Sequence, residues 1–149
     1  MKLTNGFDIS SSALTAQRLR MDVIASNIAN ADTTRGKLVN GKWEPYQRKL
    51  VNMETKSQQS FSDIFSSRMQ NSTGEGVKIT KIFGDKTPFK QVYNPTHPDA
   101  DVNGFVLMPN VDVLKEMVDM ISATRSYEAN VTTLNATKSM YMKALEIGR

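Results

Sequence analysis

The side chains best suited to chemistry lie together in one short segment. Asn94-Pro95-Thr96-His97-Pro98-Asp99-Ala100-Asp101 sets an imidazole two and four residues ahead of two carboxylates. Neutral imidazole and carboxylate oxygen both bind metals, so the spacing could hold a cation. His97 is the sole histidine of the sequence, however, and no second ligand cluster accompanies it. Two prolines bracketing short polar residues read more simply as a turn with Asx caps. The same imidazole is the one base that a serine triad could use, and no Gly-x-Ser-x-Gly elbow is present. Gly74-Glu75-Gly76 lacks the further glycine and the helix of a phosphate-cradling loop. The sequence has no cysteine, which removes disulfides, thiol catalysis and cysteine-based zinc sites. The expectation is a chain with no catalytic residue, no cofactor and no metal.

Charge and hydropathy narrow the partners. The formal net charge is +4, but Arg18, Arg20, Lys37, Arg48, Lys49, Lys81, Lys90, Arg125 and Lys138 are scattered among acidic residues. A phosphate-tracking surface needs clustered cations, so no nucleic acid is expected. No apolar run is long enough to span a bilayer, and no direct membrane insertion is expected. The segment from Met1 to Phe7 also lacks an apolar run of signal-peptide length. The chain is expected to be made in the cytoplasm and to leave it only by a route other than a cleaved signal.

The elements that would position any site fall into three zones. From about Asp8 to Ala31 there is no proline or glycine, and Phe7, Ser10, Leu14, Gln17, Met21, Ile24, Ile28 and Ala31 recur at alternating spacings of three and four. That is the seam of an amphipathic helix. Ser10, Ser11 or Ser12 could cap its start, and Asn30 to Gly36 should end it. The last zone runs from about Val111 to Ile147, with Asn110 or Asp112 as candidate caps. Val111, Val113, Leu114, Met117, Val118, Met120 and Ile121 share one half of its circumference, and Asp112, Lys115, Glu116 and Asp119 the other. Farther on the apolar stripe narrows to Tyr127, Val131, Leu134, Tyr141 and Leu145. Between the helices, short runs at Trp43–Val51, Val77–Phe83, Phe89–Tyr93 and Phe105–Met108 are separated by glycine and proline and read as strands. A polar stretch from about 55 to 76 reads as a flexible loop, with an amphipathic island at Phe61, Ile64, Phe65 and Met69.

The expected fold is α+β. Long N- and C-terminal helices pair as an antiparallel, coiled-coil-like hairpin, and a small β-rich segment is inserted between them. Residues 1–36 and 109–149 would form the helical domain, and residues 37–108 the insertion. An apolar face of about 180° is wider than one partner helix covers. Exposed apolar surface of that extent marks association, so the pattern alone points to an oligomer or polymer.

Two sets of motifs carry a resemblance to a known family. Ser12-Ala13-Leu14-Thr15-Ala16-Gln17-Arg18, continuing to Asn27-Ile28-Ala29-Asn30-Ala31-Asp32-Thr33-Thr34, resembles the opening of the flagellar axial proteins, which build rod and hook. Tyr93 to Asp101 with Gly104-Phe105-Val106, and Pro109-Asn110-Val111-Asp112 with Glu116 to Asn130, resemble the proximal rod branch of that family. After Thr34 the family usually continues through a glycine and an aromatic, where this chain has Arg35-Gly36-Lys37-Leu38.

The resemblance implies a structural subunit of the basal-body rod that polymerises through its terminal helices and carries torque from motor to hook. It implies passage through the flagellar type III export apparatus. Partners would be other rod proteins, further copies of the chain, and membrane-ring or rod-adaptor proteins. The residues expected to pack between subunits are Leu14, Met21, Ile24, Ile28, Val113, Leu114, Met117, Val118, Met120, Ile121, Tyr127, Val131 and Leu134. Asn27, Asn30, Thr33, Pro95, His97, Pro98, Asp101 and Gly104 carry the family motifs. The alternative is a soluble coiled-coil adaptor or export chaperone, which would not need a second apolar half-face.

Overall fold

The computed structural model describes residues 5–39, 41–56 and 76–147. Helix α1 spans Asn5–Ala29 and helix α2 spans Val113–Ile147. Between them come strands β1 (Lys37–Val39), β2 (Lys42–Glu44), β3 (Lys49–Thr55), β4 (Val77–Gly84), β5 (Lys90–Tyr93) and β6 (Phe105–Met108). The strands form three two-stranded sheets, β1–β2, β3–β4 and β5–β6. The fold class is the expected α+β. The expected amphipathic island at Phe61–Met69 lies outside the described residues.

The helices pack together antiparallel. Going along α1, Phe7 stacks on Tyr141, Arg20 pairs with Asp119 and Asn27 bonds Glu116, so the partners on α2 run backwards. Two compact units divide the chain. One comprises Met1–Leu19, Asn52–Lys81 and Ala123–Arg149, and the other Arg20–Val51 and Ile82–Ser122. In the first unit Ser10, Ala16 and Ala123 are buried. In the second the buried set is Val23, Ile24, Val106, Pro109 and Val111, together with the polar side chains of Asn27 and Glu116.

The helix ends follow local chemistry, with one correction. Asp112 caps α2: its Oδ1 accepts the Leu114 N–H at 3.1 Å, and its carbonyl takes the first intrahelical bond, from Glu116 N–H. The serines do not cap α1, because the helix already runs from Asn5. Ser12 instead donates to the Ile9 carbonyl at 2.8 Å and accepts the Val77 N–H at 3.1 Å, tying the helix to the start of β4. After Ala29 the turn closes through Asn30 and Thr33, as the polar run from Asn30 requires.

The strand run expected over Trp43–Val51 is broken in two. Pro45, buried and without an N–H, cannot continue a ladder. Trp43 therefore pairs with Leu38 in the β1–β2 hairpin, and the chain restarts as β3 at Lys49. Gly36 makes this crossing possible. Its N–H bonds the Glu44 carbonyl at 2.8 Å, and a Cβ there would sit 2.7 Å from the Tyr46 backbone nitrogen. In the β5–β6 hairpin the register runs from Lys90↔Met108 to Tyr93↔Phe105. Gly104, at φ +76°, turns the chain back beneath the Tyr93 ring.

Candidate assembly surface

A buried carboxylate of the second unit is that of Glu116, on the charged side of α2. It is 1% exposed, and its carboxylate is enclosed by donors from two other segments. Arg48 Nε donates to Oε1 at 2.6 Å, and Asn27 Nδ2 donates to Oε2 at 3.0 Å. Asn27 is itself fully buried. It pairs with the backbone of Lys49 in both directions, its Oδ1 accepting the N–H and its Nδ2 donating to the C=O, each at 2.9 Å. The Tyr46 hydroxyl donates to the same Oδ1 at 3.0 Å. Arg48 also reaches Asp85 at 3.5 Å and Asp119 at 3.7 Å, and its backbone N–H is held by Asn110 Oδ1 at 2.8 Å. Buried charges persist only when paired and hydrogen-bonded, and here both conditions are met.

This knot places the other side of α2 outward. Leu114, Val118 and Ile121 are 75%, 67% and 62% exposed, with Met117 and Val113 also at the surface. The apolar half-circle is thus split. Its Val111 edge is buried beside Pro109, Met120 is half-buried, and the rest faces water. Ile24 is buried, whereas Leu14, Met21, Ile28, Tyr127, Val131 and Leu134 are half-buried. The residues expected to pack between subunits therefore divide into those wholly or partly covered within the chain and a run on the first three turns of α2 that is exposed.

The segment that first invited a metal is a turn. His97 N–H bonds the Asn94 carbonyl, and Ala100 N–H bonds the His97 carbonyl. His97 Nδ1 accepts the Asp99 N–H at 3.1 Å. Asp99 faces Arg35 and Thr34, whose donors lie 2.7 and 2.8 Å from its oxygens. Those bonds hold the Asp99 carboxyl below the usual carboxylate range and the Arg35 guanidinium above its own. Asp101 carries the other end of the turn, its carbonyl accepting the Gly104 N–H at 2.7 Å. Pro95 and Pro98 are exposed. Among the described residues, no group of three His, Cys, Asp or Glu is placed to hold a metal. Asp85 is likewise held low, first by the Thr87 backbone N–H at 3.0 Å.

Residues 7–36 match the family described as "Flagella basal body rod protein", and residues 102–147 match "Flagellar basal body rod FlgEFG protein C-terminal". Across its full length the chain is 58% identical to the flagellar basal-body rod protein FlgC of Bacillus subtilis, with all of both chains covered. It is 44% identical to FlgC of Salmonella typhimurium, again over all of both chains. With FlgC of Borreliella burgdorferi it shares 41% identity, covering 99% of this chain and 98% of the relative. The chain belongs to the FlgC family of flagellar basal-body rod proteins.

In this rod-family chain the two family matches contain Asn27 and Glu116, and Arg48 lies between them in sequence. Nothing in the sequence groups Tyr46, Arg48, Asn110 and Glu116. Asn110 is a capping candidate, Glu116 a residue of the charged side and Asn27 a residue of the family motif. No spacing rule links positions 27, 48 and 116. The available signal was an unmatched arginine beside a strand and a carboxylate on a helix whose opposite side is apolar.

Proposed function

We propose that this chain is a structural subunit of the flagellar basal-body rod, joined to neighbouring rod subunits through the outward apolar run of α2. Family membership supports the rod itself, and with it a place in the flagellar basal body. The uncovered side chains Leu114, Met117, Val118 and Ile121 support the mode of joining. Each side chain of this size buried between subunits contributes about 1.5–3 kcal/mol. The half-buried residues along the α1–α2 seam, Leu14, Met21, Ile28, Tyr127, Val131 and Leu134, extend the contact where neighbouring helices stack on the pair. On this reading residues 1–36 and 109–149 form the helical tube of the proximal rod, and residues 37–108 an outer domain. The role is mechanical, carrying torque toward the hook. Partners are copies of this chain, other rod proteins, membrane-ring or adaptor proteins, and the export apparatus that delivers the chain.

The test is Ile121→Asp, which sets a charge where neighbouring subunits must exclude water. The variant is expected to be made, soluble and exported, while basal bodies viewed by electron microscopy lack a rod and cells do not swim. Lys115→Asp, on the polar side of the same helix, is expected to assemble nearly normally. Normal swimming by Ile121→Asp cells would move the interface elsewhere. So would degradation of the variant before export, since it would make this face an internal core.

A further inference from the structure

We infer that the Arg48–Glu116–Asn27 cluster is an orientation lock: it fixes the rotation of α2 about its own axis so that the apolar side faces out before any partner arrives. Over the first three turns of α2 the exposed aliphatic side chains argue for the opposite arrangement, whereas Ala123, Tyr127 and Leu134 farther along lie on the Glu116 side. At about 100° per residue, Leu114, Val118 and Ile121 lie within about 40° of the point opposite Glu116. Turning these first turns the other way would cover all three and release Glu116 to water, so their own apolar content does not direct Glu116 inward. The observed chain does the reverse, burying a carboxylate and exposing three large aliphatic side chains.

The donors that hold Glu116 are directional, whereas apolar contact is not. Arg48 Nε and Asn27 Nδ2 address different oxygens of the carboxylate. Asn27 is held by both backbone groups of Lys49, and the Arg48 main chain is held by Asn110. Asp119, one turn along α2, meets both Arg48 and Arg20. A rotated helix would strand Arg48, whose side chain is 12% exposed, beside Asp85 alone. A buried polar cluster of this kind contributes less to net stability than to the choice among packings of similar hydrophobic content. Arg48 and Asn27 are thus positioning residues, acting on the assembly face through Glu116.

Because the chain has no cysteine, single thiols can report the rotation. Ile121→Cys and Ala123→Cys place a thiol on the exposed and buried sides of α2. Each is made in the parent and in the Glu116→Leu/Arg48→Met background, and maleimide labelling rates of the monomer are compared. In the parent, position 121 is expected to label at least about tenfold faster than 123, because labelling at a buried thiol waits on local opening. Without the lock the ratio is expected to fall below about threefold, with helix content by circular dichroism unchanged. A ratio that persists would overturn the inference, since packing elsewhere would then set the rotation. If the double variant does not fold, Glu116→Gln carries the test, because it keeps the size and one acceptor but loses the charge. The lock then requires a ratio reduced at least about threefold, and an unchanged ratio overturns it. The inference builds on the assembly reading only for the use of the exposed face. Labelling is read on monomers, so its failure is distinct from a failure of Ile121→Asp to block the rod.

Discussion

Glu116 is a buried carboxylate held by Arg48 and Asn27, so its removal should be costly. Removing one partner of a buried ion pair costs about 3–5 kcal/mol, because the other charge stays buried. Glu116→Ala leaves Arg48 with Asp85 and Asp119 at 3.5 and 3.7 Å, so a loss near the lower end, about 3 kcal/mol, is expected from denaturant unfolding. A second expectation concerns acid. Asp99 and Asp85 both have carboxyls held below their ordinary value by donors in the folded chain. Their contribution is therefore complete above the unfolded carboxylate value of about 3.9 and is lost as pH falls through the lower folded values. The denaturant midpoint should drop below about pH 4, and Asp99→Asn should flatten that drop while lowering stability at neutral pH. A variant with the parent's acid slope would show that the Arg35–Asp99 pair does not matter to folding. At this scale the sequence was least informative. The Asp112 cap was legible because capping is local. The contacts of Glu116 with Arg48 and Asn27 were not, because they join segments 68 and 89 residues apart.

Elements were legible where a single period or a single residue decides them. The 35-residue α2 announces itself by its spacing and stops short of Asp112, whose side chain satisfies otherwise orphaned N–H groups. Asp112→Ala is expected to cost about 1 kcal/mol and to fray the first turn, seen as faster amide exchange at Leu114 and Lys115. The strands between Val77 and Met108 were legible from their apolar runs and breakers. The β1–β2 hairpin was less so, because Lys37–Val39 is too short to show an alternation and Trp43 looked continuous with the run beyond Pro45. In the β5–β6 hairpin the decisive residue is Gly104. Alanine there must hold a left-handed backbone and push a Cβ to 3.0 Å from the Tyr93 ring. Such strain costs about 1–3 kcal/mol. Gly104→Ala should therefore loosen the Tyr93–Phe105 edge contact, giving a lower melting temperature with helix content retained.

On the scale of the whole molecule, the antiparallel helix pairing was legible because two long amphipathic segments at opposite ends of a chain have few other ways to bury their seams. The sequence pattern gives the apolar side of α2 to association, and Leu114, Val118 and Ile121 are exposed; that Glu116 turns inward is not legible, because its partners lie far away in the sequence. The same exposure shapes stability along the helix. Isolated helices are marginal, and most of their stability comes from tertiary packing. Near Glu116 and Ala123 α2 is fully buried on one side, whereas Met140, Met142 and Leu145 are 65%, 55% and 76% exposed. Amide hydrogen exchange on the monomer is therefore expected to be at least about tenfold faster over residues 138–147 than over 116–123, because local opening needs less buried surface to be lost. Tyr141, stacked on Phe7 at 5.2 Å, is the one described aromatic contact in that distal stretch, and Phe7→Ala should extend fast exchange further toward Leu134. In isolated rods the distal segment should become protected, as neighbouring subunits supply the contacts that a single chain lacks. Equal protection along α2 in the monomer would mean that the helix pair is self-sufficient, and its exposed apolar side chains would then contribute nothing to holding the helix in place.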